Sequence, residues 1–152
     1  MDVIAYDVAG WGVGELYLSS GRLLYHELPR HGASAARGPG HPLAERMQSH
    51  FRGERVSFED VELEVEWATP FQEALAAALR SVQWGEVVTY GELAALAGRP
   101  RAPRAAGTFC AENRFPLVVP CHRVVAAGGL GGYGSLGAEY KRRLLAVEGV
   151  EL

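Results

Sequence analysis

Residues 89–111 read Thr89-Tyr90-Gly91-Glu92, then Leu93 to Ala97, the break Gly98-Arg99-Pro100, and Arg101 to Ala111. Thr89 followed three positions later by Glu92 is a capping box, so a helix starts there with Leu93, Leu96 and Ala97 on its apolar side. Gly98-Arg99-Pro100 stops it. A second helical segment is expected from about Arg101 to Ala111. Two short helices joined by a Gly-containing turn form a helix-turn-helix pattern, although the same pattern suits an αα-hairpin in a core.

The second segment is small-sided, with Ala102, Ala105, Ala106, Gly107 and Ala111. Arg101, Arg104 and Thr108 share one face at i, i+3, i+7, and Phe109 lies opposite with Ala102 and Ala105. A helix about 10–12 Å wide enters a minor groove about 6 Å wide only with short side chains and some widening. Small residues also permit close helix packing, and the segment alone does not separate the two readings.

Upstream, Thr69-Pro70-Phe71-Gln72 is another helix start, with Thr69 as cap, Pro70 at the first helical position and Gln72 completing the box. Phe71, Leu75, Leu79 and Val82 give that helix its apolar face, and Gly85 closes the turn after it. The first third reads as strands: Val3–Val8, Val13–Leu18 and Arg22–Leu28, the last two joined by a Ser19-Ser20-Gly21 hairpin turn. Residues 29–42 shift to Gly, Pro, Ser, Ala and Arg and are expected as an exposed loop. Leu43, Met47 and Phe51 recur at helical spacing over 42–52. Val61 to Val65 alternates as a strand with one wet face. A domain boundary is expected near Trp67, dividing 1–67 from 68–152.

The chain has 152 residues, 48% hydrophobic and 22% charged, which excludes bulk disorder and supplies a core. No run approaches the roughly 18 apolar residues of a membrane span. Met1-Asp2-Val3-Ile4 lacks a secretory pattern. Two cysteines, Cys110 and Cys121, are too few for a disulfide scaffold and suggest a reduced, cytoplasmic setting. A net charge of −3 excludes coating nucleic acid by bulk electrostatics. The charge is uneven, however: −5 over residues 1–67 and +2 over 68–152. Arg99, Arg101, Arg104, Arg114 and Arg123 stand against Glu92 and Glu112 in 88–123, the footprint of a small polyanion site or ordinary surface scatter.

Leu117-Val118-Val119 reads as a buried strand, followed by Pro120-Cys121-His122-Arg123-Val124. A free thiol with a pKa of about 8.5 is only a few per cent thiolate at neutral pH, so a nucleophilic cysteine needs a base. His122 backed by a carboxylate supplies one, and Glu148 after the last helix is the candidate. Neighbours on a strand point to opposite faces, so the pair works only if Pro120 starts a turn.

Pro120-Cys121-His122-Arg123-Val124 resembles the active-site signature of the O6-alkylguanine-DNA alkyltransferase family. Thr69-Pro70-Phe71-Gln72, Gly85-Glu86-Val87-Val88-Thr89-Tyr90, Leu93-Ala94, Arg104-Ala105-Ala106-Gly107, Asn113 and Leu144-Leu145-Ala146-Val147-Glu148-Gly149 resemble further family motifs in order. Together they cover 68–150. Residues 1–67 match in length and coarse strand pattern only.

The resemblance implies an α+β fold, with a ribonuclease-H-like sheet domain followed by a mainly helical domain. It implies a single-turnover repair protein acting as a monomer on double-stranded DNA, through the minor groove and with the damaged base flipped out. Cys121 is then the alkyl acceptor, His122 (through a water) and Glu148 its relay, and Tyr90 the donor to the departing guanine. Lys141 orients the site and Asn113 holds the turn. Arg104 fills the vacated stack, with Thr89, Arg101, Ala105, Gly107, Thr108 and Arg123 as further DNA contacts. Cys121 and Val124 carbonyls read the base, and Tyr133, Gly134 and Ser135 in the glycine-rich 128–137 loop close over it. No metal or organic cofactor is implied. With no cysteine in 1–67, His26, His31, His41 and His50 read as surface or core residues.

The pattern departs from the family at Arg114, where proline is frequent, at Cys110, where some members carry methionine, and at Ala126 and Ala127, where some carry serines. The alternatives are an alkyltransferase-like protein that grips lesions without transfer, whose members lack the acceptor cysteine, and a thiol hydrolase. Nothing beyond the Cys-His pair supports the latter.

Overall fold

A computed structural model describes residues 1–32 and 40–152, and the fold is α+β. The chain divides into two compact units, Met1–Glu64 with Arg114–Pro116, and Val65–Asn113 with Leu117–Leu152.

The first unit is a three-stranded antiparallel meander, β1 (Asp2–Val8), β2 (Gly12–Ser19) and β3 (Arg22–Arg30), with one helix, α1 (Pro42–Phe51). Ser20 and Gly21 both have positive φ, 51° and 77°, the type I′ geometry that suits a two-residue hairpin. Tyr6, Val8, Leu16, Leu18, Leu23 and Leu28 are buried, as are Leu43, Met47 and Phe51 of α1. Gly14 pairs with Tyr6, and a Cβ at Gly14 would stand 2.5 Å from the Tyr6 ring, so only glycine lets that ring lie across β2.

The alternating segment 61–65 does not form the expected strand. It makes a single parallel bridge, Leu63 to Leu23, in which Leu23 N–H donates to Glu62 O and Glu64 N–H to Leu23 O. Alternation reports a half-buried extended chain, and whether a full ladder forms depends on the partner. The strand β3 continues through Pro29 and Arg30, into the expected 29–42 loop. Residues 33–39 of that loop lie outside the described residues.

In the second unit α2 (Pro70–Arg80) and α3 (Tyr90–Leu96) both start with complete capping boxes, Thr69 with Gln72 and Thr89 with Glu92. The first strand of this unit, β4 (Val88–Thr89), precedes α3 directly; α4 (Pro103–Ala111) follows it after the Gly98 turn. A 3₁₀ turn at Cys121–Arg123 then leads into β5 (Val124–Val125), and α5 (Ala138–Val147) ends the fold. The core is built from Leu75, Leu79, Leu93, Ala106, Phe109, Val119, Val124, Leu144 and Leu145.

Three segments differ from what their sequence predicts. Leu117-Val118-Val119 is a buried turn rather than a strand, with Leu117 at φ +73°. Leu96 points outward, since a seven-residue helix buries only its Leu93 and Ala94 side. Ala105 is exposed with Arg104 and Thr108, while Ala106 and Phe109 face inward. The sequence also contained no sign of the parallel pair β4–β5, in which Val88 pairs with Val124 and Thr89 with Val125. Two residues on each side carry no periodicity to detect.

Candidate active site

The β4–β5 pairing sets the site, because it lays the start of α3, where Tyr90 sits, beside the segment that follows Cys121. Pro120 ends the preceding turn. Cys121 N–H donates to Val119 O (2.8 Å) and Arg123 N–H to Pro120 O (2.9 Å), so residues 121–123 coil instead of extending. Coiling frees Cys121 and His122 from the opposite-facing geometry of strand neighbours. Both are buried.

His122 Nε2 lies 2.5 Å from Glu148 Oε2. Glu148 caps the C-terminal end of α5, where the helix dipole disfavours a negative charge. Its partners outweigh this. Arg123 donates from Nε to Oε1 at 2.9 Å and from a terminal nitrogen to Oε2 at 3.1 Å, and Gly85 N–H donates to Oε1 at 3.0 Å. Burial pushes the Glu148 carboxyl pKa up, but the hydrogen bonds and charges of His122 and Arg123 together hold it down at about 2. Burial lowers the His122 pKa against the pull of Glu148, so its imidazole is neutral at rest. The pair is therefore an ionised carboxylate holding a neutral imidazole by Nε2, which fixes the tautomer and leaves proton exchange to Nδ1.

Burial also raises the Cys121 thiol pKa, opposed by hydrogen bonds to the Asn113 and Tyr133 side chains and by the Lys141 charge. Tyr133 Oη stands 3.9 Å from Sγ. Asn113 Nδ2 donates to Val119 O at 2.8 Å, the same carbonyl that receives Cys121 N–H. Lys141, the chain's one lysine, is buried, donates to Gly132 O (3.1 Å) and lies 5.7 Å from the Tyr90 ring centre. Gly131 has φ +77°, and a Cβ there would stand 3.1 Å from Tyr90 Oη and 3.4 Å from Lys141 Nζ. These contacts bring Tyr90 and Lys141 together under the 131–135 loop. Burial raises the Tyr90 pKa and lowers that of Lys141.

Arg123 corrects the sequence reading. Expected on DNA, it is buried and committed to Glu148 and, through its other terminal nitrogen, to Val82 O at 2.7 Å. Positive charge read along the chain cannot distinguish a surface arginine from one that neutralises a buried carboxylate. Gly85 N–H and Val82 O, which complete this network, carry no side-chain signal and were missed. Val124 is buried beside the turn, whereas Gly134 and Ser135 are exposed. Tyr133 stacks with Tyr140 at 6.3 Å.

Arg104, Ala105 and Thr108 are exposed on α4, whereas Arg101, expected to open that helix, is exposed but precedes it, since Ala102 is the N-cap. A Cβ at Gly107 would stand 3.9 Å from the Tyr90 ring. The Thr108 hydroxyl donates back to Arg104 O at 3.1 Å. Arg99 is occupied elsewhere, over the Phe71 ring at 4.5 Å.

Residues 70–150 match the family model described as 6-O-methylguanine DNA methyltransferase, DNA binding domain. A methylated-DNA–protein-cysteine methyltransferase of Methanopyrus kandleri is 43% identical over 124 residues, covering 80% of this chain and 92% of that one. Its namesake in Metallosphaera sedula is 42% identical over 107 residues, 70% of this chain and 66% of the relative's length. Among solved structures, the Mycobacterium tuberculosis OGT in complex with DNA superposes with TM-score 0.81 at 32% identity, covering 97% of this chain and 92% of that one. A family model matched over residues 70–150, with a relative 43% identical through 92% of its own length, leaves one assignment: the chain belongs to the 6-O-methylguanine DNA methyltransferase family.

Proposed function

We propose that this protein repairs O6-alkylguanine in double-stranded DNA by moving the alkyl group, once per molecule, onto Cys121. The observation that carries the reading is the buried Cys121-His122 turn with Glu148 2.5 Å from the imidazole. Its neutral imidazole and ionised carboxylate are ready to receive the thiol proton. A thiol kept protonated by burial stays inert until a substrate is seated, and the proton then passes by way of a water to His122. Sulfur attacks the alkyl carbon, the C–S bond forms and the C–O6 bond breaks. Tyr90 supplies a proton to the departing guanine, and the Lys141 ammonium beside it steadies the phenolate left behind. The thioether has no route back to thiol, so each molecule turns over once. The chain's own residues account for every proton, and the reading calls on no cofactor.

The exposed Arg104-Ala105-Thr108 face of α4, with Arg101 just before the helix, is the DNA-facing surface in this reading, and Thr89 and Gly107 are further contacts. Ala105, Gly107 and Thr108 are short enough for the minor groove, and extrusion of the base costs a few kcal/mol, which Arg104 offsets by occupying the gap. Cys121 and Val124 carbonyls and the Tyr133-Gly134-Ser135 loop enclose the base. Residues 68–152 carry both binding and transfer, acting as a monomer in the cytoplasm. Among the described residues no helix is long and apolar enough to cross a membrane.

The test is the intact mass of the protein before and after incubation with O6-methylguanine duplex. One added methyl group, mapped to the Cys121 peptide, is expected. An unmodified protein that still binds the lesion would favour the lesion-gripping alternative, against which the presence of Cys121 stands.

A further inference from the structure

The first unit contains a hydrogen-bonded chain that the transfer reaction does not use. His26, on β3, is buried, and its two ring nitrogens are both engaged. Nδ1 lies 2.6 Å from Pro116 O and Nε2 2.6 Å from Tyr6 Oη. A carbonyl only accepts, so Nδ1 carries the proton and Nε2 accepts from the Tyr6 hydroxyl. The His26 backbone N–H also donates to Arg114 O, at 2.8 Å. One residue thus holds both ends of the segment Arg114–Pro116, which belongs to the first unit although the chain on either side belongs to the second. The Tyr6 ring reaches His26 across β2 only because Gly14 leaves the room.

What that segment connects makes the clasp informative. On one side stands Asn113, whose amide donates to Val119 O, the carbonyl that also receives Cys121 N–H. On the other stands Leu117 at φ +73°, a left-handed conformation that costs a side-chain-bearing residue about 1–2 kcal/mol and persists only where neighbours enforce it. Four residues further on is Cys121. We infer that His26, oriented by Tyr6, is a positioning residue for Cys121: by fixing residues 114–116 it keeps the 113–121 turn closed, with Asn113 and Cys121 both on Val119 O. The inference rests on the alkyl-transfer reading for its functional meaning, but its geometry does not.

The experiment compares His26→Leu, His26→Asn and Tyr6→Phe with the unaltered full chain. His26→Leu removes both ring contacts at similar volume. His26→Asn keeps a donor near the Nδ1 position. Tyr6→Phe deletes only the hydroxyl that fixes the tautomer, and serves if His26→Leu does not fold. Two readouts are taken on folded protein: the rate of alkyl transfer from free O6-benzylguanine, and the pH midpoint of Cys121 carboxamidomethylation by iodoacetamide, followed by peptide mass. His26→Leu is expected to slow transfer about 10- to 100-fold, the scale of a reacting group displaced by about 1 Å, and to raise the pH midpoint. Tyr6→Phe should move both readouts the same way by less, and His26→Asn should recover most of the loss. Lowered melting temperatures with unchanged rate and midpoint would overturn the inference and leave His26 a core residue only. If the unaltered protein takes no alkyl group from O6-methylguanine duplex, the transfer reading fails, while the iodoacetamide profile still decides the positioning role.

Discussion

Glu148 shows how much one side chain can be asked to do. It orients the imidazole, neutralises buried Arg123 and accepts a backbone N–H, all from a helix end whose dipole opposes it. Glu148→Gln keeps the shape and removes the charge. It should raise the Cys121 thiol pKa, measured by the pH dependence of its alkylation, because the imidazole then gains no stabilisation on taking a proton. Arg123 would be left buried without its counter-charge, so stability in urea should fall by about 3 kcal/mol. An unchanged thiol titration would remove Glu148 from the relay, whatever happened to stability.

At the scale of elements, α4 and the loop before α5 divide the work. Arg104 lies on the exposed face of α4, whose opposite face packs Ala106 and Phe109 inward, so its loss should leave the fold intact. Arg104→Ala should slow repair of duplex DNA by at least about tenfold, since replacing an extruded base in the stack is worth a few kcal/mol, and should barely alter reaction with free benzylguanine. Equal losses on both substrates would deny it the base-extrusion role. Gly131 poses the opposite case. An alanine there meets both a positive φ and the Tyr90 hydroxyl at 3.1 Å. Gly131→Ala should cost about 1–2 kcal/mol in thermal or urea unfolding and, on the proposed role of Tyr90, slow transfer from free benzylguanine too, because it disturbs Tyr90 rather than the exposed face of α4. Intact transfer in that variant would separate Tyr90 from the chemistry.

For the molecule as a whole, the buried titratable groups set a direction for pH. His26 has its pKa lowered by burial from 6.5 to about 4, and His122 is lowered as well. The unfolded chain therefore binds protons that the folded chain refuses, and stability present above about pH 6.5 is lost as pH falls toward 4. Glu148, held at about 2, adds a loss in the same direction at lower pH still. Urea midpoints should fall steadily from pH 7 to pH 4, and His26→Gln, which cannot titrate, should flatten that slope.

Much of this molecule was legible before folding was considered. Capping boxes at Thr69 and Thr89, the Ser20-Gly21 hairpin turn and the helical spacing of Leu43, Met47 and Phe51 depend on contacts within a few residues, so the chain itself writes them. The ordered motifs from Thr69 to Gly149 likewise pointed to the family and to the Cys121-His122 pair. Other features are tertiary, because their partners are distant and their sequence marks ambiguous. Arg123 looked like a surface cation until Glu148, 25 residues away, enclosed it. Leu117–Val119 had strand composition but found no strand to pair with, and β4 met β5 across 36 residues with only two residues each. His26 carried no motif at all. Its place at Pro116, 90 residues along, follows from the folded sheet, since a hydrogen bond across that distance is invisible to any local pattern.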